Sequence, residues 1–310
     1  MSKLPPFKSL LKSRDVEDPF HRYVHRPIAY AFVALIYRTP ITPNGVTLLG
    51  MLVGIASGVV FIWDFPNHML VGGLLFWASA LIDDADGMLA RAKNMQSQLG
   101  RAFDGTADMI VGIATVLPVF LHLWWKEENP LHLILIVPAI LSSIVHFNLC
   151  DFYREHYLRV TKPKKTGDMK VVDDKLADID RQPWHIRFVL RDVFVPYLAV
   201  QALCVRITNP AMATDPKVPS NEVSAAIWKK HNAGPMRTWA MISHAPHNEW
   251  LAFCAMFDRV DIYLWVRVVA MNVVFLGLIF WQRRATRRTL EELRLAPDAA
   301  LQGAESTANV

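Results

Sequence analysis

The chain has 310 residues, 53% of them hydrophobic, and a mean hydropathy of +0.22, which excludes an ordinary soluble domain and predicts a polytopic membrane protein. Its net charge of +5 is modest, and no nucleic-acid partner is expected. Three cysteines, Cys150, Cys204 and Cys254, lie in or beside apolar stretches without pairing or metal-ligand spacing, so a disulfide framework is excluded as well.

Residues 1–26 carry Lys3, Lys8, Lys12, Arg14, Arg22 and Arg26 and lack the apolar core of a secretory signal. They are expected to form a solvated or headgroup-contacting basic arm. Residues 27–37 are apolar but too short to span a bilayer, which predicts an interfacial amphipathic helix. The Pro40 and Pro43 turn ends it, and Asn44 is placed to cap the next helix.

Spanning segments are expected at roughly 45–63, 69–91, 102–125, 131–153, 235–257 and 261–282. The links at 64–68 and 126–130 hold little positive charge. The arm, the 91–101 link, residues 154–233 and the tail after Gln282 are rich in Lys and Arg, which assigns them to the cytoplasm. Trp63, Trp124 and Trp125 suit the opposite interface. The expected architecture is all-α, with six transmembrane helices and both ends cytoplasmic. It divides into an arm and interfacial helix (1–40), a membrane domain (41–285) and a basic, disordered tail (286–310).

Inside the membrane domain, residues 154–233 form an insertion. Residues 162–182 read as a surface loop or short helix, 184–205 as an in-plane amphipathic segment, and 207–233 as an irregular loop. The end of the fourth helix presents Asn148, Asp151 and Glu155 on one face, either lining a pocket or forming internal ion pairs. His244 and His247 are three apart with Pro246 between them, and pairing or headgroup contact is favoured there over a transition metal.

The chemistry concentrates at residues 81–112. On a helix of about 100° per residue, Asp83, Asp86, Gly87 and Ala90 share one face, as do Gly100, Asp104 and Asp108 on the next helix. An uncompensated charge in a bilayer costs roughly 2.5 kcal/mol or more. Four acids this close repel one another unless cations hold them ionised, and hard oxygen donors suit Mg²⁺ or Mn²⁺. Asp83, Asp86 and Asp104 are the expected ligands. Small side chains at Gly87 and Ala90 let a flat group approach the backbone, and Arg91 can grip a phosphate bidentately. Asp108, one turn deeper, is placed to take a proton from a hydroxyl. Asp84 points about 100° away from Asp83 and is left out. Close helix packing is an alternative role for both Gly87 and Gly100.

The run Asp83-x-x-Asp86-Gly87-x-x-Ala90-Arg91, followed by Gly100-x-x-x-Asp104-x-x-x-Asp108, resembles the signature of the CDP-alcohol phosphatidyltransferase family. The start Pro43-Asn44-x-x-Thr47 is similar to that family's first-helix entry near its nucleotide site. The resemblance implies a membrane enzyme binding a CDP-alcohol through Asn44, Thr47, Gly87, Ala90, Arg91 and Gly100, with two Mg²⁺ or Mn²⁺ ions. It implies Asp108 as base and also a metal ligand, attack of a hydroxyl acceptor (a polar alcohol or a lipid) on the phosphate bearing the alcohol, release of CMP, and a homodimer. A bacterial inner membrane or its equivalent is the expected location, and the charge pattern turns the site toward the cytoplasm. CDP-diacylglycerol is the favoured donor. The alternatives are transfer of a choline- or ethanolamine-type headgroup from its CDP form to a lipid hydroxyl and, from the acids alone, a cation-coupled transporter.

Overall fold

The structure is a computed structural model describing residues 3–161, 187, 191–192, 195–213, 218 and 221–296. Among these residues every regular element is a helix. Arm turns at Phe7–Leu10, Arg14–Val16 and His21–His25 lead into α1 (Arg26–Ile36), α2 (Pro43–Ile62), α3 (His68–Ala92), α4 (Gln98–Glu127) and α5 (Pro130–Thr161). Then come α6 (Val195–Thr208), α7 (Pro210–Ala213), α8 (Glu222–Met241), α9 (His244–Met256) and α10 (Val260–Trp265). A π-helical turn, Val266–Ala270, continues α10 into α11 (Met271–Leu295). Among the described residues four helical stretches, Pro43–Ile62, Phe103–Glu127, Pro130–Thr161 and Val260–Leu295, are long and apolar enough to cross a membrane.

The chain divides into two compact units, Met1–Ser142 with Ser243–Asn272, and Ser143–Ile242 with Val273–Val310. In the first, α2 packs against α3 and α4, while α1 and α9 pack on α3. One apolar core gathers Phe61, Phe76, Val119, Leu251 and Leu264; another joins Leu10 and Val33 to Ala85, Met88 and Leu89. Buried glycines on α2 permit the close approach. A Cβ on Gly54 would meet Val111 at 2.6 Å and Ser79 Oγ at 2.9 Å, and one on Gly58 would lie 1.7 Å from the Ala114 carbonyl oxygen. The serines lock the same interface, with Ser79 Oγ donating to Gly50 O (2.7 Å) and Ser57 Oγ to Gly72 O (2.8 Å). Small residues thus let backbones touch where lipid supplies no hydrophobic drive.

The second unit holds a buried polar chain. Asn209 Nδ2 donates to Tyr153 Oη (3.1 Å) and Thr286 Oγ1 (2.9 Å); Gln282 Nε2 donates to Asn232 Oδ1 (2.8 Å) and Trp239 Nε1 to Gln282 Oε1 (3.1 Å). The expected polar face of α5 meets α6. Gln201 Nε2 donates to Asn148 O (3.0 Å), and Asp151 accepts from Arg154 (2.5 Å) and from Tyr197 Oη (3.3 Å).

Four expectations are corrected. The fifth helix, expected at 235–257, is broken at Ile242 and Ser243, where the backbone turns extended (Ser243 φ −76°, ψ 176°). Pro246 explains the break: inside a continuous helix its ring would clash with the carbonyl of residue 242, whereas in the first turn of α9 its missing N–H costs nothing. The irregular loop expected over 207–233 is largely helical, because Asn221 caps α8 by accepting from Ser224 N–H at 2.8 Å. The arm is packed rather than solvated, with Leu10, Asp15, Val16, Glu17, Asp18, His21 and His25 buried. The 162–182 loop, most of 184–194 and the tail beyond residue 296 lie outside the described residues, while residues 286–295, expected to be disordered, continue α11 and bury Thr286 and Thr289.

Gly58→Ala is expected to destabilise the protein by about 1–3 kcal/mol, since α2 must move off α4 to admit the methyl group. Gly112→Ala, with nothing within 4 Å of its added Cβ, should be neutral or slightly stabilising. Thermal unfolding of both variants in one detergent checks this, and equal melting temperatures would remove the close approach as a source of stability.

Candidate active site

The start of α2 is fixed by Thr42, whose Oγ1 accepts from Gly45 N–H at 3.2 Å, with Pro43 in the first helical position. The expected cap, Asn44, is therefore the second residue of the helix, and its side chain is not the one that caps it. Its Oδ1 instead lies 3.3 Å from where a Cβ on Gly100 would stand. The start of α4 is built the same way, with Ser97 Oγ accepting from Gly100 N–H at 2.9 Å. A side chain on Gly100 would press on both Ser97 Oγ (3.0 Å) and Asn44. The two helix starts meet there because the residue is glycine.

One turn into α2, the buried Thr47 hydroxyl donates to Asp86 Oδ2. Across the α3–α4 seam, Asp83, Asp86 and Asp104 each present a carboxylate oxygen, and the three atoms lie within 4.8 Å of one another. Asp108 stands close enough for its charge to act on both Asp83 and Asp86. Half-buried Gly87 and Ala90 extend the same α3 face. Arg91 folds back over it: its Nη1 is 3.4 Å from the position of a Cβ on Gly87, its Nε donates to Leu10 O (2.8 Å), and its Nη2 is buried with no hydrogen-bond partner among the described residues. A guanidinium with an unused, buried donor beside a cluster of acids is suited to a phosphate oxygen.

All of the sequence-derived site residues thus fall in one unit, at the C-terminal end of α3 and the starts of α2 and α4. The arm supplies what the sequence reading missed. Leu10 holds Arg91 through its backbone carbonyl, and the charge of Lys12 acts on Asp104. Arg26 anchors the arm, its Nε donating to Glu17 Oε1 (2.6 Å) and its Nη1 lying 3.1 Å from Asp84 Oδ1. Burial alone would weaken its hold on its proton, but Asp84 and Glu17 more than offset this and raise its pKa. The sequence signal was the scatter of apolar residues, Leu4, Phe7, Leu10 and Val16, among the charged ones. Asp84 faces away from the acid cluster, toward His21, His25 and Arg26.

The donor set fits a hard divalent cation: three carboxylate oxygens from two helices, one of them oriented by a hydroxyl, with no nitrogen or sulfur donor in the group.

Comparison with known proteins gives a family model described as CDP-alcohol phosphatidyltransferase, matching residues 40–206. The chain is 31% identical over 104 residues to a phosphatidylinositol phosphate synthase of Mycobacteroides abscessus, covering 33% of this chain and 42% of that protein. It is 30% identical over 104 residues to a CDP-diacylglycerol–glycerol-3-phosphate 3-phosphatidyltransferase of Blochmanniella floridana, covering 33% and 54%. A bifunctional IPC transferase and DIPP synthase of Thermococcus kodakarensis is 32% identical over 90 residues, covering 29% and 20%. The chain spans about half the length, or less, of the curated relatives it matches.

Thr47→Val keeps the shape of the residue but leaves Asp86 Oδ2 without its hydroxyl. It is expected to weaken Mn²⁺ binding by about 10- to 100-fold in a titration followed by calorimetry, the usual cost of losing a group that orients a ligand. An unchanged affinity would show that Thr47 does not orient the cluster.

Proposed function

We propose, given that the chain belongs to the CDP-alcohol phosphatidyltransferase family, that it transfers a substituted phosphate from a CDP-alcohol to a hydroxyl acceptor and releases CMP. The convergence of Asp83, Asp86 and Asp104 beside Asp108 and Arg91 carries this reading. Relatives named for phosphatidylinositol phosphate synthesis and for phosphatidyl transfer to glycerol 3-phosphate favour CDP-diacylglycerol as donor and a polar alcohol as acceptor. A homodimer enters through the family alone.

Two Mg²⁺ or Mn²⁺ ions held by Asp83, Asp86, Asp104 and Asp108 would neutralise the diphosphate and stabilise charge around the phosphorus under attack. The remaining work belongs to the chain's own groups. Asn44 and Gly100, where the starts of α2 and α4 meet, receive the cytidine end, and the bare backbone at Gly87 and Ala90 gives a flat base or ribose room. Arg91 grips a phosphate with its unpartnered Nη2. Asp108 takes the proton of the acceptor hydroxyl as that oxygen bonds to the phosphorus bearing the alcohol. The bond from that phosphorus to the CMP oxygen breaks, and the electron pair leaves with CMP.

We further propose six crossings with both ends cytoplasmic and the site at the cytoplasmic side. Besides the four qualifying stretches, α3 is 25 residues long, enough to span at about 1.5 Å per residue, and its acids lower its hydropathy. The fifth crossing is the interrupted α8–α9 segment, and α1 lies in the interface. A cysteine at Asn94 should then react with an impermeant thiol reagent from the side opposite to cysteines at Asp64 and Glu128; labelling of all three from one side would overturn the topology.

Purified protein in nanodiscs with CDP-diacylglycerol, a panel of polar alcohols and Mg²⁺ or Mn²⁺ should release CMP, and chelation should abolish the release. Asp108→Asn should lower the rate by about 10²- to 10⁴-fold, the range for a lost general base, while CDP still binds. Absence of both CMP release and metal-dependent CDP binding with CDP-diacylglycerol, CDP-choline and CDP-ethanolamine would sink the transferase reading.

A further inference from the structure

Among the described residues a second group of side chains converges in the first unit, apart from the acid cluster and built from different donors: His21, His25 and Glu249. His21 and His25 lie on the π-helical turn of the arm, and Glu249 on α9. The wide turn, closed by Arg26 N–H to His21 O, brings the two imidazole rings to a centroid distance of 4.4 Å with 33° between their planes. All the groups involved are buried, with His25 0%, Glu249 5%, His21 8% and Asp84 8% exposed.

The rings are sandwiched between two carboxylates. On one side Asp84 Oδ2 lies 2.9 Å from His21 Nε2 and 3.2 Å from His25 Nδ1. In the neutral form that can ligate a metal, each ring donates one N–H to this carboxylate, which fixes both tautomers. The remaining nitrogens, His21 Nδ1 and His25 Nε2, then carry lone pairs and both face Glu249 Oε1, at 2.5 and 3.4 Å. Three acceptors are thereby brought together. Trp77 Nε1 donates to His25 Nε2 (2.8 Å), whereas His21 Nδ1 and Glu249 Oε1 are buried without a hydrogen bond of workable geometry, in spite of their proximity. A positive centre between them resolves the conflict.

We propose that His21, His25 and Glu249 bind one borderline transition-metal cation of the Zn²⁺ type, with Asp84 as the carboxylate behind both imidazoles. Two imidazole nitrogens and one carboxylate oxygen form a donor set suited to Zn²⁺, and a carboxylate accepting the far N–H of each ligating histidine is the arrangement that orients such ligands. Trp77 must release His25 Nε2 when the ion enters. The all-oxygen cluster of Asp83, Asp86 and Asp104 prefers harder cations, so the two sites select different metals. The ion clasps the arm to α3 and α9, and the same arm carries the Leu10 carbonyl that holds Arg91.

The test uses the full chain in detergent, stripped with chelator, equilibrated with Zn²⁺ or Co²⁺, desalted and analysed for metal. In Asp83→Asn/Asp104→Asn, where the acid cluster is disabled, one Zn²⁺ per chain should remain, and addition of Glu249→Gln or His21→Gln should remove it. Loss of metal between the unmodified chain and Asp83→Asn/Asp104→Asn reports on the acid cluster separately. The unmodified chain loaded with one Co²⁺ should show the visible bands of a nitrogen-ligated, low-coordinate ion, a readout that needs no substitution. No tight metal in the double variant, equal metal with and without Glu249→Gln and His21→Gln, or a Co²⁺ spectrum of oxygen ligands alone would each overturn the clasp and leave a buried network held by protons.

Discussion

Carboxylates inside a bundle of membrane helices are tolerable only where cations and hydrogen bonds compensate them, and that constraint organises the first unit. Asp83, Asp86 and Asp104 converge to within 4.8 Å. Such a group repels itself, so the helices bearing it must be held together against that repulsion. The restraint comes from α2, whose Gly54 and Gly58 place its backbone against α3 and α4, and whose Thr47 binds Asp86. Packing and chemistry therefore share one interface: the glycines set the distance at which the acids meet.

Asp83 and Asp84 show how a helix separates two chemistries within a single peptide unit. The step of about 100° sends Asp83 toward α4 and Asp84 toward the arm. Asp84 meets Arg26, His21 and His25, so its charge is compensated by one guanidinium and by hydrogen bonds from two imidazoles, all far earlier in the chain. The arm is in consequence packed over the end of α3, fixed by the buried Arg26–Asp84 ion pair and by the Leu10 carbonyl on Arg91. A rearrangement of the arm would be felt at the acid cluster through Arg91 and through the charge of Lys12 on Asp104.

The second unit follows a different rule. Its interior contains Asn209, Thr286, Gln282, Asn232 and Trp239 joined by hydrogen bonds. Buried amides satisfied by one another fix a single arrangement of helices, since any slip would leave several of them unpaired. Tyr153 stacked on Trp239 at 5.2 Å adds aromatic packing to the same interior.

Family, helical class and acid pattern were legible in residue spacing, because 100° per residue is a local property of each helix. Asp83, Asp86, Gly87 and Ala90 share a face whatever surrounds them. Asn44 was misassigned as a cap because Thr42, two residues earlier, is an equally good acceptor, and backbone geometry alone chooses between them. The break before Ser243 was legible in Pro246, but apolar composition on both sides concealed it. Composition also misled at the arm, where polar residues read as solvated. Their burial depends on partners at Asp84 and Glu249, far away in sequence, and such long-range contacts leave no periodicity. Only the tertiary structure could bring His21, His25, Asp84 and Glu249 together, since they reside on three elements whose proximity no local pattern encodes.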